Sequence, residues 1–332
     1  LSRTGVLHTG TKLFEEEIFQ LKAQREDVPS VVPGMAISGP TVVRPIHESG
    51  AHHAHISKEE SLFKALRWGL KRYVEDHGFS QTFLGLSGGL DSAVCAAIAV
   101  ESLGASSVCG VLMPSPHTSR ESTDWALLLA ENLGIATKII PIAQLMSGFD
   151  DLLAESFAGL SPGITEENLQ ARIRGALLMA LSNKLGGMVI CPSNKSELAV
   201  GYSTLYGDCV GAIAPIGDIY KSDVYALARW YNEHAGREII PAGIIERPPT
   251  AELSPGQLDA DALPPYPVLD DILRNYVEEG RTSGEIKVPG ADEALVAKVI
   301  KLVRCAEFKR RQTPPVLEVS MRPFGPNWRM PL

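Results

Sequence analysis

The stretch GLSGGLDS, Gly85 to Ser92, lies between an apolar strand-like run, QTFLGL, and a helix-like run, DSAVCAAIAVESLG. Gly88 and Gly89 let the backbone turn tightly and approach an anion with no Cβ in the way. The helix that follows brings unpaired N–H groups and the positive end of its dipole, and Ser87 and Ser92 add hydroxyl donors. Together these make a cradle for phosphates. The loop matches neither GxxxxGK[ST] nor GxGxxG. It has no lysine, and it carries Asp91, which repels a phosphate unless a cation stands between them. An aspartate beside a phosphate nest predicts Mg²⁺ bridging carboxylate and phosphate oxygens.

Outward from this loop, helices alternate with short apolar strands from Ile56 onward. The strand-like runs are QTFLGL, SSVCGVLMP, TKIIPI and MVICP, and between them lie STDWALLLAENLG and the long TEENLQARIRGALLMALSNKLGG. Strands separated by helices of this length predict βαβ units, hence an α/β fold with a doubly wound parallel sheet and helices on both faces. Such strands are apolar nearly throughout because both faces are covered. SKEESLFKALRWGLKRYVEDHG opens with Ser57 and Glu60 in capping-box spacing and ends at Gly78. SELAVGYS and KSDVYALARWYNEHAG read as further helices, 241–265 as an irregular Pro-rich loop, and PVLDDILRNYVEEG and ADEALVAKVIKLVRCAEFKRR as two closing helices. The chain divides into an N-terminal extension or linker, 1–55, and one domain, 56–332.

Composition narrows the class. With 332 residues, 45% hydrophobic and 21% charged, the chain is ordinary globular protein rather than a disordered or disulfide-held one. No apolar run approaches the ~20 residues of a membrane span, and no secretory signal pattern is present. A net charge of −8 argues against a nucleic-acid coat held by phosphate contacts. The five cysteines are an odd number without a CxxC pair, which reads as reduced, buried and cytoplasmic. His52, His53 and His55 have metal-ligand chemistry but no fourth ligand nearby, so an exposed flexible segment is expected there.

SGGxDS after the first strand resembles the signature of the ATP pyrophosphatases, which cleave ATP between the α and β phosphates to adenylate a substrate. Four further runs narrow the resemblance: NKSELAVGYSTLYGD (Asn194 to Asp208), APIGDIYKSDVYALA (Ala214 to Ala228), PPTAEL (Pro248 to Leu253) and EFKRRQTPP (Glu307 to Pro315). Over Ile56 to Pro315 the chain is similar to the NAD synthetases, most of all the synthetase part of the glutamine-dependent form. The resemblance implies an adenine nucleotide alpha hydrolase-like fold, ATP as co-substrate, Mg²⁺, a homodimer, and amidation of deamido-NAD by ammonia. The alternatives are a ligase using the same chemistry on another carboxylate, or a nucleotide-binding module without turnover.

Carried over residue by residue, the resemblance implies that Gly85, Leu86, Ser87, Gly88, Gly89, Leu90, Asp91 and Ser92 bind ATP, with Pro192, Lys221 and Thr250. Asp91 and Glu197 are the expected Mg²⁺ ligands; Glu197 lies past MVICP, at the carboxyl edge of the sheet where ligands of such folds bind. Lys221 opens a helix and reaches for the phosphates as a mobile point charge. Asn168, Arg172, Glu197 and Lys309 are implied for deamido-NAD. Asn168 and Arg172 are spaced i,i+4 and share a helix face, whereas Arg174 points elsewhere and is the weaker candidate. Asp208 is expected near the incoming ammonia, which is mostly ammonium at neutral pH and needs a base. One position departs from the pattern: Pro192 stands where the family has a threonine, so that contact is lost or moves to Ser193. Residues 1–55 contain no cysteine and are too short for an amidase domain, so free ammonia, or an amidase domain or subunit outside this chain, is the expected nitrogen source.

Overall fold

Four parallel strands, ordered β3-β2-β1-β4, form the centre of the molecule. The computed structural model describes residues 56–325 and Trp328, so the histidine cluster and the 1–55 extension lie outside the described residues. The elements run α1 (Lys58–Asp76), β1 (Thr82–Gly85), α2 (Leu90–Leu103), β2 (Val108–Leu112), α3 (Arg120–Leu133), β3 (Ala136–Ile139), α4 (Ala143–Leu153) and α5 (Ile164–Leu185). There follow β4 (Met188–Ile190), α6 (Lys195–Val200), α7 (Lys221–Ala235), α8 (Ala242–Glu246), α9 (Tyr266–Leu273), α10 (Glu293–Cys305) and α11 (Glu307–Arg310). The expected α/β fold with a doubly wound sheet is what forms.

Local chemistry sets the boundaries. Ser57 caps α1 by accepting the Glu60 N–H at 3.1 Å, and Phe63, Leu66, Leu70 and Val74 form the buried stripe. Gly134, Gly186, Gly201 and Gly236 end α3, α5, α6 and α7 in the left-handed conformation, which glycine adopts without a steric penalty. Alternate residues of each strand then face opposite layers. Leu84, Val108, Leu112, Met188 and Ile190 point into a large core made with α1, α2, α3, α7 and α8. Phe83, Cys109, Val111 and Val189 point the other way, onto Ile173 and Leu178 of α5. A third cluster joins α6, α9 and α10 with Phe324 of the C-terminal segment.

The strand order places the site. From β1 the chain steps outward to β2 and β3, then returns across the other face through α4 and α5 to lay β4 on the opposite side of β1, with Thr82 beside Met188. The loops that leave β1 and β4 therefore diverge around a crevice at the carboxyl ends of those strands, where ligands of open α/β sheets bind.

Several local expectations are corrected. The strand TKIIPI is not buried on both sides: β3 has one neighbour, and all four of its residues are exposed. Helix α4 was not expected; its sequence follows Pro141 and contains Gly148, and although Leu145, Phe149, Leu152 and Leu153 recur at helical spacing, none of its residues is buried. The Pro-rich loop holds the short α8, PVLDDILRNYVEEG ends in a π turn over Arg274–Glu278, and the last helix breaks at Ala306 into α10 and α11. All five cysteines are unpaired as expected, but Cys305 is exposed where a buried thiol was expected.

Candidate active site

A cavity of about 310 Å³ opens at the crevice between β1 and β4, within the size range of small-molecule sites. Of the phosphate loop, Gly85, Leu86, Ser87, Gly89, Leu90, Asp91 and Ser92 line it. Gly88 instead turns away with φ 79°, and a Cβ there would stand 2.2 Å from the Ser122 carbonyl oxygen of α3. No other residue fits that close approach. Gly89 caps α2 without a side-chain hydrogen bond, which leaves first-turn N–H groups of α2 directed at the cavity. Ser87 Oγ accepts the Gly89 N–H at 3.2 Å and lies 3.3 Å from Ser92 Oγ, so the two hydroxyls shape the loop from inside.

Charge converges at the mouth of that loop. Lys221 Nζ donates to Asp91 Oδ2 at 2.5 Å and to Glu197 Oε1 at 3.2 Å. Burial alone would lower the Lys221 ammonium, but Asp91 and then Glu197 outweigh it and hold the ammonium above its ordinary value. Burial raises the Glu197 carboxyl despite Lys221. Asn194, whose Oδ1 accepts the Glu197 N–H at 3.0 Å as N-cap of α6, donates through Nδ2 to Asp91 Oδ1 at 3.1 Å. The NKSE run thus divides its work by residue. Asn194 ties Asp91 to Glu197, and Lys195 pairs with Asp218 at 2.9 Å and Glu278 at 3.0 Å, with both Lys195 and Asp218 fully buried. Ser196 turns to Asp270 and Glu197 faces the cavity.

Five carboxylates line the cavity, those of Asp91, Glu197, Asp208, Glu252 and Asp259, against two cations, Arg174 and Lys221. A triphosphate entering so acidic a site requires added positive charge, and two carboxylates beside the phosphate loop are the hard-oxygen donors that Mg²⁺ takes. Asp91 and Glu197 therefore fit the ion. Asp259 accepts hydrogen bonds from Tyr266 Oη at 2.9 Å and Tyr202 Oη at 3.3 Å, and burial raises it.

Pro192 and Ser193 both line the cavity, and Ser193 Oγ accepts from Cys191 Sγ at 3.3 Å. Burial pushes the Cys191 and Cys209 thiols up, to about 11 and about 12, so neither supplies a thiolate at neutral pH. Thr250 lines the cavity and spends its hydroxyl on its own loop, donating to the Gln257 carbonyl at 2.5 Å and accepting the Glu252 N–H at 3.1 Å. Arg247 holds that loop over α3, pairing with Glu252 at 2.6 Å and donating to Ser122 Oγ. Asp208 reaches the cavity; burial raises its carboxyl, against the Thr204 N–H that donates to Oδ1 at 2.7 Å.

The remaining residues expected to bind substrate gather elsewhere. Asn168 accepts from Thr204 Oγ1 at 2.7 Å, Arg172 donates to the Leu205 carbonyl at 3.2 Å, and Lys309 Nζ donates to the carbonyls of Gly201 at 2.8 Å and Ser203 at 2.6 Å. The shared face of Asn168 and Arg172 is confirmed, but all three side chains bind segment 201–205 from outside the cavity. Arg174, expected to point elsewhere, lines the cavity instead, with Nε on the Met113 carbonyl at 3.1 Å. Burial lowers it, to about 10, so it stays cationic. The i,i+2 spacing puts Arg172 and Arg174 on different faces; only the position of the sheet reveals which face meets the cavity. Asn194, Ser196 and Asp259 were also missed, because their roles depend on partners far away in the chain.

A phosphate cradle at a helix N-terminus, at the switch point of a parallel sheet and beside a lysine shared by two carboxylates, defines an adenine nucleotide alpha hydrolase-like protein. Residues 62–313 match the family model described as NAD synthase, and the chain belongs to that family. It is 54% identical over 275 residues to the glutamine-dependent NAD(+) synthetase of Thermotoga maritima, an alignment covering 83% of this chain and 48% of the relative. The chain thus spans about half the length of the curated relatives it matches. Among solved structures, the glutamine-dependent NAD+ synthetase of Acinetobacter baumannii in complex with ADP superposes with a TM-score of 0.58 at 39% identity, covering 86% of this chain and 51% of that one. The NH3-dependent NAD synthetase of Campylobacter jejuni gives 0.62 at 27% identity, covering 80% of this chain and all of that one. Among the described residues, no helix is long and apolar enough to cross a membrane.

Proposed function

We propose that this chain amidates deamido-NAD to NAD at the expense of ATP. The nicotinate carboxylate attacks the α-phosphorus and pyrophosphate leaves. Ammonia then attacks the acyl carbon, loses a proton, and AMP departs with the acyl C–O bond pair. The observation that carries this reading is Lys221 held between Asp91 and Glu197 at the end of the phosphate loop.

The residues divide the work as follows. The Gly85–Ser92 loop receives the phosphates on backbone N–H groups, and Lys221 adds a charge that its two carboxylates keep in place. Asp91 and Glu197 hold Mg²⁺, which when bound neutralises charge on the triphosphate and the departing pyrophosphate. Arg174 offers a planar fork of donors suited to a phosphate or carboxylate. The raised carboxyl of Asp208 sits within the cavity as the base for ammonium. Thr250 shapes the loop that closes over the nucleotide. Asn168, Arg172 and Lys309 hold segment 201–205, through which they shape the deamido-NAD side. A homodimer fits the apolar residues left open on α4 and α5. Ammonia reaches the site free, or from an amidase domain or subunit.

Incubation with Mg-ATP, deamido-NAD and ammonium tests the reading: AMP and NAD appear together. AMP without NAD points to another acceptor, and no AMP to a binding module. Glu197→Ala abolishes turnover while circular dichroism stays unchanged; retained activity refutes the metal assignment. Pro192→Thr, by restoring a hydroxyl at the cavity wall, tightens ATP binding in calorimetry, and an unchanged affinity removes Pro192 from the ATP site.

A further inference from the structure

Helix α7 begins at the lysine on which the proposed chemistry turns, yet its own N-cap, Tyr220, provides no side-chain hydrogen bond. The orphan N–H groups of a first turn need partners, and here they come from two other helices. The Lys221 N–H donates to Ser196 Oγ of α6 at 2.9 Å. Ser196 Oγ in turn donates to Asp270 Oδ1 of α9 at 2.5 Å. The Ser222 N–H donates to Asp270 Oδ2 at 2.9 Å, and the Ser222 hydroxyl donates to the same oxygen. Asp270 is 0% exposed, and among the described residues no lysine or arginine lies in ion-pair contact with it. A carboxylate buried this deeply is tolerated when its oxygens are saturated with hydrogen bonds, and the positive end of α7 favours it further.

We propose that Asp270 is a positioning residue for the ATP lysine: by clamping Ser196 and Ser222, it fixes α6 against the first turn of α7 so that Glu197 and Asp91 meet on Lys221 Nζ. Ser196 and Glu197 are neighbours on α6, and Lys221 and Ser222 are neighbours on α7, so one carboxylate sets both sides of the pair. The rest of α7 is anchored independently, with Val224, Leu227, Ala228 and Tyr231 in the main core. Removing the clamp therefore loosens the first turn without releasing the helix. The proposal rests on Lys221 being the ATP lysine, and its test is built around nucleotide binding so that it can be read apart from turnover.

The experiment compares the full chain with Asp270→Ala and Asp270→Asn, measuring Mg-ATP binding by calorimetry without deamido-NAD, and then KM for each substrate. Asp270→Ala weakens ATP binding and raises the ATP KM by about 10- to 100-fold, as loss of an outer support does, while the deamido-NAD KM stays within about twofold. Asp270→Asn, which keeps an acceptor for the Ser222 N–H, recovers most of the loss. An unchanged ATP affinity in folded Asp270→Ala overturns the proposal. So does an equal rise in both KM values with no recovery in Asp270→Asn, the mark of general loosening. Should Asp270→Ala fail to fold, Ser196→Ala, which cuts the link from Asp270 to the Lys221 N–H, decides instead: weakened ATP binding supports the clamp, and wild-type affinity overturns it. A wild-type chain that binds ATP but forms no NAD refutes the functional reading and leaves the clamp measurable; one that binds no ATP refutes both.

Discussion

The two faces of the sheet are built to different depths. One carries Leu84, Val108, Leu112, Met188 and Ile190 under α2 and α3, with α1, α7 and α8 completing the core. The other carries Phe83, Val111 and Val189 under α5, with α4 beside it and little beyond. On that shallow side Leu152, Leu160 and Ile164 are 82%, 72% and 73% exposed, and Ile139, Leu145, Phe149 and Leu185 are exposed with them. A parallel sheet needs both faces covered, and β1, β2 and β4 are buried on both sides while the edge strand β3 is left open. What differs is the outer layer, and an apolar outer surface is where a second polypeptide surface fits. Lys221 belongs to the deep side, on α7, while Asn168 and Arg172 belong to the shallow side, on α5.

Three measurements break or sharpen this contrast. The largest effect is expected from Leu84→Ala on the deep face, which removes fully buried methyl groups and costs about 2–5 kcal/mol, read as a drop in the denaturant midpoint. Ile139→Ala on the open edge strand stays within about 0.5 kcal/mol; equal costs at the two positions would erase the distinction. Next, Leu152→Glu combined with Ile164→Glu leaves single-chain stability within about 1 kcal/mol but halves the mass seen by sedimentation. A wild-type chain that already sediments alone refutes the homodimer. The smallest effect concerns the loop that joins the two sides. Partial burial would raise Glu252, yet hydrogen bonds, first from Arg247 and then from Ser119, hold its carboxyl below the ordinary range. A carboxylate lowered in the folded state stabilises it above the unfolded pKa and stops doing so as pH falls through the folded value. The stability gap between wild type and Glu252→Gln is thus widest near neutrality and closes on acidification; a gap that widens in acid contradicts the pairing.

Much of this was legible because the signals are short in range. The phosphate loop, the apolar strands and the Ser57 cap are each encoded within a few residues, and the structure reproduces them. Arg174 and α4 were not legible, for different reasons. Whether Arg172 or Arg174 meets the cavity depends on how α5 lies on the sheet. Helix α4 carries the helical spacing, with Leu145, Phe149 and Leu152 on one face, but Pro141 just before it and Gly148 inside it mask the signal. Asp270 was invisible for a third reason: its partners, Ser196 and Ser222, lie 74 and 48 positions away in the chain.

The pairing of β1 with β4 also has a consequence in time. Thr82 and Met188 are neighbours in the sheet but more than a hundred residues apart along the chain, a contact that forms slowly because a long loop must close first. The crevice exists only once that strand has docked, so its appearance waits on that long-range closure. A nucleotide that binds there has nothing to grip until β4 lies beside β1. It acts afterwards, as a latch that slows the departure of β4 and lengthens the life of the native state.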